Sequence, residues 1–214
     1  MPVKAPPVTR APPVQVYNWT GCYVNGGGGY GMFNQDLTFE GDKVTQGGRG
    51  WFGTVGGGCD LQIASNWVFG AFGDYDFSGL KGDSVLGGGR DKETSAWAVG
   101  ARLGYTLTPN ILAYANAGYT QARFAGIKGI LGDPDLSIGS HTYSGWFVGG
   151  GYEYRLDWFP GLFWRTEYRY AQYGKDNLAI LDVGVPTGDT ITSEKFVQTI
   201  RSELVWRFNW GGRY

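Results

Sequence analysis

Histidine and cysteine, the side chains that enzymes and metal sites most often use, are scarce in this chain. Among 214 residues there is one histidine, His141, and there are two cysteines, Cys22 and Cys59. A metal site needs several convergent ligands, and no second histidine or free cysteine lies near His141 in sequence. We weigh a haem-iron or metal ligand against a solvated loop residue for His141, and the sequence favours the solvated residue.

Evidence for a catalytic group or a nucleotide site is equally thin. Ser140, Ser144 and Asp135 lie in or beside a long loop, so they make no convincing hydrolase arrangement with His141. The glycine run at 25–31 is followed by no helix and by no Lys-Ser/Thr pair, which a phosphate loop requires. The sequence therefore predicts no catalytic, cofactor-binding or metal-binding residue, and hence no enzyme.

Long apolar runs and a large charge of either sign are also absent. No stretch approaches the roughly 18 apolar residues of a transmembrane helix. The net charge of −1 points neither to nucleic acid nor to electrostatic docking on a membrane surface. No signal peptide is visible, and the Met1-Pro2-Val3-Lys4 start suggests a mature chain whose export signal has been removed.

Glycine and aromatic residues are abundant instead, with 38 Gly, 9 Trp, 14 Tyr and 12 Phe. Aromatic residues favour strands, and dense glycine in a β-protein marks bends or close backbone approach. In the run at 25–31, glycine allows neighbouring aromatic rings to lie over the strand. Residues 1–16 hold Pro2, Pro6, Pro7, Pro12 and Pro13, which predict an extended periplasmic tail before a domain at 17–214.

The chain beyond the tail is organised as alternating segments joined by long and short connections in turn. The segments cover residues 19–33, 50–62, 67–77, 94–107, 111–124, 143–156, 162–173 and 196–210. The long connections are polar and cover residues 34–49, 78–93, 125–142 and 174–195. An even number of strands with long loops at one end and short turns at the other predicts an all-β, eight-stranded antiparallel up-and-down transmembrane β-barrel.

Aromatic residues share one face of most strands, and charged residues share the other. An eight-stranded interior is only just wide enough for its own side chains, so a soluble barrel could not hold this many Trp and Tyr inside. Pairs eight residues apart, such as Trp67 and Tyr75, span roughly 21 Å along a tilted strand, close to a lipid-facing band. The predicted aromatic girdle is Trp67, Tyr75, Trp97, Tyr105, Trp146, Tyr154, Trp164, Tyr168, Trp206 and Trp210.

The opposite face then lines the lumen with matched charges. The predicted set is Asp60, Asp74, Asp76, Glu153, Glu167 and Glu203 with Arg102, Arg155, Arg165, Arg169, Arg201 and Arg207, while every lysine falls in the tail or a loop. Arginine suits crowded ion pairs because its planar fork satisfies several acceptors. We interpret the set as a neutral polar plug. The less favoured interpretations are a proton or ion path through the set and, at Asp74 and Asp76, acid–base catalysis or a Ca²⁺ site.

The chain resembles the small outer-membrane immunogenic proteins of alphaproteobacteria, which have an OmpA-type eight-stranded barrel. The resemblance rests on Tyr17-Asn18-Trp19-Thr20-Gly21-Cys22-Tyr23 after a Pro-Val-Lys-Ala-Pro-Pro leader, on Asn66-Trp67-Val68-Phe69-Gly70, and on the C-terminal aromatic strand. The chain departs from the usual aromatic end in carrying Gly211-Gly212-Arg213 before Tyr214. The resemblance covers essentially the whole chain.

This resemblance implies a surface protein of the outer membrane with a structural, porin-like or host-interaction role. Its partners would be outer-membrane lipids, lipopolysaccharide and the barrel assembly machinery. A structural barrel with a plugged lumen and exposed loops is the first hypothesis. A small diffusion channel, or a surface protein that binds haem or a host ligand, is the alternative.

The two cysteines are candidates for a disulfide. Residues paired across an antiparallel hairpin have a constant index sum, and placing Phe33 opposite Gly48 gives a sum that Cys22 and Cys59 share. Export to an oxidising compartment permits the bond. Two separate lipid-facing thiols remain the alternative, since the register could slip through the long loop.

Overall fold

A computed structural model describes residues 17–39, 42–83, 90–128, 133, 135–182 and 185–208 of the chain. The predicted tail at 1–16 and the girdle residue Trp210 lie outside these ranges. Within them the structure consists of strands and short turns, and no helix has the length and apolarity needed to cross a membrane.

Eight long strands and three short ones make up the described secondary structure. They are β1 Gly21–Phe39, β2 Asp42–Gln62, β3 Trp67–Ser78, β4 Lys81–Asp83, β5 Arg90–Thr108, β6 Ile111–Phe124, β7 Ile127–Lys128, β8 Leu136–Ile138, β9 His141–Arg155, β10 Leu162–Asp182 and β11 Val185–Phe208.

Every long strand pairs antiparallel with its neighbours in the chain, and β11 pairs with both β10 and β1. That last pairing closes the sheet, so the predicted eight-stranded antiparallel barrel is confirmed. Closure also satisfies the backbone hydrogen bonds that an open sheet edge would leave exposed to lipid.

The strands run further than the sequence predicted at the end with the long connections. The predicted loops at 34–49 and 174–195 are largely the arms of hairpins, since β1 continues to Phe39 and β10 to Asp182. The predicted loop at 78–93 contains β4, and the predicted loop at 125–142 contains β7 and β8. Apolar alternation ends where a strand leaves the membrane, so the sequence pattern ends before the strand does.

Side-chain facing follows the alternation that the sequence shows. Val99 on β5 is 48% exposed, whereas its neighbour Ala98 is 2% exposed. Arg102 on the same strand is buried and Leu103 is exposed. In this part of the barrel, aromatic and aliphatic side chains therefore cover the outside, and the buried charged side chains face the inside.

Glycine allows rings to lie flat against the barrel wall. A Cβ on Gly29 would overlap the Phe52 ring, and a Cβ on Gly48 would overlap the Phe33 ring. Both rings point into the lumen and fill space next to a bare backbone. The role predicted for the glycine run at 25–31 thus has a direct structural counterpart at Gly29.

Candidate functional site: the filled lumen and the outer girdle

The lumen is filled in three layers, two apolar and one charged. Near the short turns lies a cluster of buried apolar side chains: Tyr17, Trp19, Tyr23, Val68, Leu112, Phe163 and Val205. Towards the long hairpins lies a second cluster, which includes Phe33, Phe52, Leu80, Phe124, Tyr143, Phe147 and Tyr173. The charged side chains occupy the space between the two clusters, and Phe72 packs against both.

Glu153 is at the centre of the part of the charged layer nearer the short turns. Its side chain is fully buried, and its carboxylate accepts hydrogen bonds from Arg102, Arg165 and Arg207. The donor–acceptor distances are 2.5 to 2.9 Å, except for Arg207 Nε, whose distance is 3.1 Å. Asp60 binds the Arg207 Nη1 atom at 2.7 Å and also pairs with Arg102. Three guanidinium groups thus share two carboxylates.

The other half of the charged layer is centred on Arg169 and Arg201. Both Nη atoms of Arg169 donate to Asp74 at 2.9 Å, a bidentate pair. Arg201 donates to Asp76 at 3.0 Å, and Arg169 also lies 2.8 Å from Glu167. Bidentate pairs of this kind fix the side chains in one geometry.

Glu203 joins the two halves. Its Oε2 atom lies 3.2 Å from Arg165, and its Oε1 atom lies 3.9 Å from Arg201. The remaining cavity next to these residues has a volume of about 10 Å³, room for about one water molecule. The charged layer therefore leaves little free volume beside Arg165 and Glu203.

Three neutral side chains that the sequence analysis missed complete the network. The Tyr114 hydroxyl and the Asn116 amide each donate to Glu167 Oε2 at 2.8 Å, and the Asn25 amide donates to Glu203 at 3.1 Å. They lie on β1 and β6, where apolar alternation is weak. The only sequence signal for their inward position was that polar side chains recur at alternate positions of those strands.

Aromatic rings hold the guanidinium groups from the apolar side. The Arg102, Arg165 and Arg207 guanidinium carbons lie 4.6, 4.8 and 4.9 Å from the centre of the Tyr23 ring. A cation over a ring face is stabilised by the ring quadrupole, and more strongly where water is excluded. The apolar cluster near the short turns, to which Tyr23 belongs, is therefore electrostatically compatible with the charged layer.

Two sequence-based assignments differ in the structure. Arg155 lies near the short turns, with its guanidinium carbon 5.3 Å from the Tyr17 ring centre, and none of the described carboxylates pairs with it. Lys195 was placed in a loop, yet it is 2% exposed on β11. Its Nζ atom lies 3.3 Å from the centre of the Phe124 ring, because a long alkyl chain can stay among the rings that surround the cation.

The predicted girdle residues that the structure describes lie on the outer surface, most of them towards the two ends of the membrane-spanning strands, whereas Tyr168, opposite Gly150, lies between the two ends. Trp67 packs against Tyr105 across β3 and β5 near the short turns, with ring centres 5.1 Å apart. At the other end, Trp97 packs against Tyr119 at 5.6 Å. Exposed members of the predicted set are Trp67, Tyr75, Tyr105, Trp146, Tyr154, Trp164, Tyr168 and Trp206, and Trp97 is half-buried.

Cys22 and Cys59 are joined by a disulfide that links β1 to β2. They are directly opposed in the strand register, as are Phe33 and Gly48, so the pairing predicted from the constant index sum is correct. Both side chains face outward, between the exposed Val24 and Leu61. The bond fixes the first hairpin near the short-turn end of the barrel.

The residues considered for chemistry lie in the first part of β9 and in the segment before it. His141 stacks edge-on against Tyr143 with ring centres 5.0 Å apart, and Ser144 accepts a hydrogen bond from the Gln121 amide at 3.1 Å. Asp135 lies in a turn. Among the described residues, no group of three or more His, Cys, Asp or Glu side chains could hold a metal ion.

Comparisons with known proteins agree with this geometry. Residues 7–211 match the family model described as outer membrane protein beta-barrel domain, and the chain belongs to that family. It is 29% identical to the 31 kDa outer-membrane immunogenic protein of Brucella melitensis, over 96% of this chain and 90% of that protein. It is 31% identical to the 22 kDa outer membrane protein of Rhizobium leguminosarum, over 77% of this chain and 69% of that protein.

One solved structure with a related fold is the outer membrane protease OmpT from Escherichia coli. It superposes with a TM-score of 0.50 at 12% identity, covering 88% of this chain and 97% of that one. At that identity the likeness concerns the fold. The chain is thus an integral β-barrel protein of the cell outer membrane, related to the outer-membrane immunogenic proteins, and it associates with membrane lipids through its apolar outer surface.

Proposed function

We propose that this protein is a non-enzymatic surface barrel of the outer membrane whose lumen is sealed. The observation that carries the proposal is the filling of the lumen, where the cavity beside the Arg165 and Glu203 side chains has a volume of about 10 Å³. Salt bridges on both sides of that cavity fix the surrounding arginines. A solute larger than water would have to displace several of them.

We further propose that the long hairpins face the outside of the cell and the short turns face the periplasm. Barrels of this class have short periplasmic turns and longer extracellular loops. The exposed hairpins would be the interacting part of the protein. Lipopolysaccharide and the barrel assembly machinery are the partners that an outer-membrane barrel of this kind requires.

Single-channel recording in planar bilayers tests the sealed lumen. We expect wild-type protein to give no steady unit conductance. A variant in which Glu153, Arg165 and Arg207 are all replaced by serine serves as the open control, provided that it keeps heat-modifiable migration. Steady conductance by the folded wild-type protein would contradict the proposal, and release of entrapped small sugars from liposomes gives a second measurement.

A small diffusion channel is the second candidate. It is favoured by a larger cavity of about 230 Å³ at the short-turn end, lined by Gln62, Asn66 and Thr106 among others. This cavity would act as a vestibule if the charged layer opened. Unit conductance that rises reversibly with voltage in the wild-type protein would favour this candidate.

Absence of enzymatic activity is tested at His141. We expect His141→Ala to leave any hydrolytic activity of the purified barrel unchanged, because the edge-on packing of its ring against Tyr143 supports a structural role for this side chain. Loss of a hydrolytic activity in this variant would contradict the non-enzymatic assignment.

A further inference from the structure

A row of cations lies on the outside of the barrel at its long-hairpin end. The strand register places Arg49 of β2 opposite Lys81 of β4, and Lys81 opposite Lys92 of β5. All three side chains are exposed. Neighbouring strands are about 4.8 Å apart, so the three backbone positions span roughly 10 Å.

The row lies just beyond the lipid-facing surface. Arg49 is two residues from Trp51 on the same face of β2, about 7 Å further along the strand. Trp51 is 75% exposed and its ring packs edge-on against Tyr30. Amphipathic rings of this kind mark the headgroup level of a membrane, which puts the cations at or just outside that level.

A groove on the surface adjoins two of these cations. It has a volume of about 370 Å³ and is lined by Met32, Asn34, Gly47, Arg49, Lys81 and neighbouring backbone. Met32 is directly opposite Arg49 in the register and is 51% exposed. The groove therefore offers an apolar side chain, an amide and two cations on the outward face.

None of the three cations has an ion pair with a carboxylate in the described part of the chain. This contrasts with the lumen, where Arg102, Arg165, Arg169, Arg201 and Arg207 are all paired with carboxylates. Three like charges in adjacent register repel one another, since like charges directly opposite are destabilising in a sheet. A multivalent anion that bridges them removes this repulsion.

We propose that Arg49, Lys81 and Lys92 form a binding site for the phosphate groups of lipopolysaccharide in the outer leaflet. Lysine and arginine bind phosphate through charge-assisted hydrogen bonds, and the acyl chains of the same molecule would lie against Trp51 and the apolar wall below. A free phosphate would use the cations but not that wall. The exposed apolar surface next to the cations is what favours the lipid.

This inference rests on the proposed orientation, with the long hairpins outside the cell. Surface labelling of a cysteine placed in the hairpin between β10 and β11 tests the orientation independently. Conductance tests the sealed lumen independently as well. A negative result in lipid binding is therefore distinguishable from failure of either part of the proposed function.

The decisive experiment is native mass spectrometry of the detergent-solubilised protein with purified bisphosphorylated lipid A. The test variant is R49Q/K81Q/K92Q, and the matched control is R123Q/K128Q/K175Q, which makes the same charge change on other strands at the same end. Heat-modifiable migration verifies that each variant is folded. We expect the test variant to bind lipid A about ten- to a hundredfold more weakly than wild type, and the control to bind within about twofold.

Dephosphorylated lipid A and inorganic phosphate complete the design. We expect wild type to bind the dephosphorylated lipid as weakly as the test variant binds the intact one, and inorganic phosphate to compete poorly. Equal loss in the test and control variants, no loss in either, or full competition by inorganic phosphate would each overturn the proposal. A preference for phosphorylated lipid that only the test variant loses would support it.

Discussion

Glu153 is the residue on which most lumen contacts depend. Its two oxygens receive hydrogen bonds from Arg102, Arg165 and Arg207, and the side chain is fully buried. A buried ion cluster adds little net stability relative to apolar packing, but loss of one partner leaves charges uncompensated. We therefore expect substitution of Glu153 to be more destabilising than substitution of any single arginine around it.

We expect Glu153→Gln to lower the free energy of unfolding by about 3–5 kcal/mol, because three guanidinium groups lose a shared anion. Arg165→Ala is expected to cost several kcal/mol as well, since it leaves Glu203 with fewer donors. Urea-induced unfolding in lipid vesicles, followed by tryptophan fluorescence, measures both. Asp157→Asn in an exposed short turn is the control, and an equal loss there would contradict the network.

The buried position of Lys195 could not be predicted from the local sequence pattern. Five of the six arginines predicted to line the lumen lie in the ion network, because they alternate with apolar outward residues. Lys195 was grouped with the loops because the apolar pattern starts after it. Its burial among Phe33, Phe124 and Tyr143 depends on rings from three other strands, which a local pattern cannot place.

Within each strand, alternate residues face outward, and these are the positions at which the membrane restricts substitution. Val99 and Val148 are 48% and 45% exposed on β5 and β9. Both valines lie between two aromatic residues of the predicted girdle on their own strand. Val99 lies between Trp97 and Tyr105, and Val148 lies between Trp146 and Tyr154. Both positions therefore face the hydrocarbon.

We expect Val99→Arg or Val148→Arg to destabilise the barrel by about 2–4 kcal/mol in lipid, because a cation at mid-membrane loses its hydration. Ala64→Arg in the exposed turn before β3 is the matched control and should be nearly neutral. Unfolding in vesicles compares the variants. Similar costs at all three positions would mean that Val99 and Val148 do not face lipid.

The pairing of two strands could be predicted where the register and the side-chain facing gave the same answer, but the ends of the strands could not be predicted. The pairing of Cys22 with Cys59 followed from a register and a shared outward face, and the structure has the same register along the whole hairpin. The extension of β1 to Phe39 and of β10 to Asp182 could not be predicted, because residues outside the bilayer have no apolar face to alternate.

The disulfide between β1 and β2 is expected to appear as a mass difference of two hydrogens on reduction, and no cysteine should be alkylated in the unreduced, denatured protein. Its loop of 37 residues corresponds to a stabilisation of up to about 4 kcal/mol by the loop-entropy model. Cys22→Ser with Cys59→Ser should show that loss in unfolding experiments. Two alkylated cysteines before reduction would exclude the bond.

For the whole molecule, closure through β1 and β11 distinguishes the membrane barrel from a pair of packed sheets. The two strands pair from Cys22 with Phe208 as far as Thr38 with Thr192. The part of this seam inside the membrane must remain closed, because open strand edges cannot be satisfied by lipid. The part in the long hairpins is outside the hydrocarbon, so water can satisfy its backbone groups.

We therefore expect two truncations to differ in heat-modifiable gel migration. Replacing residues 176–193 by a short glycine-containing turn removes the outer part of the β10–β11 hairpin and should leave the faster-migrating unboiled form intact. Ending the chain before residue 196 removes the membrane part of β11 and should abolish that form, because β1 and β10 then lose their shared partner. Semi-native electrophoresis in detergent, with and without boiling, compares both with wild type. If the hairpin truncation also abolished the fast form, the hairpins rather than the membrane band would determine barrel stability.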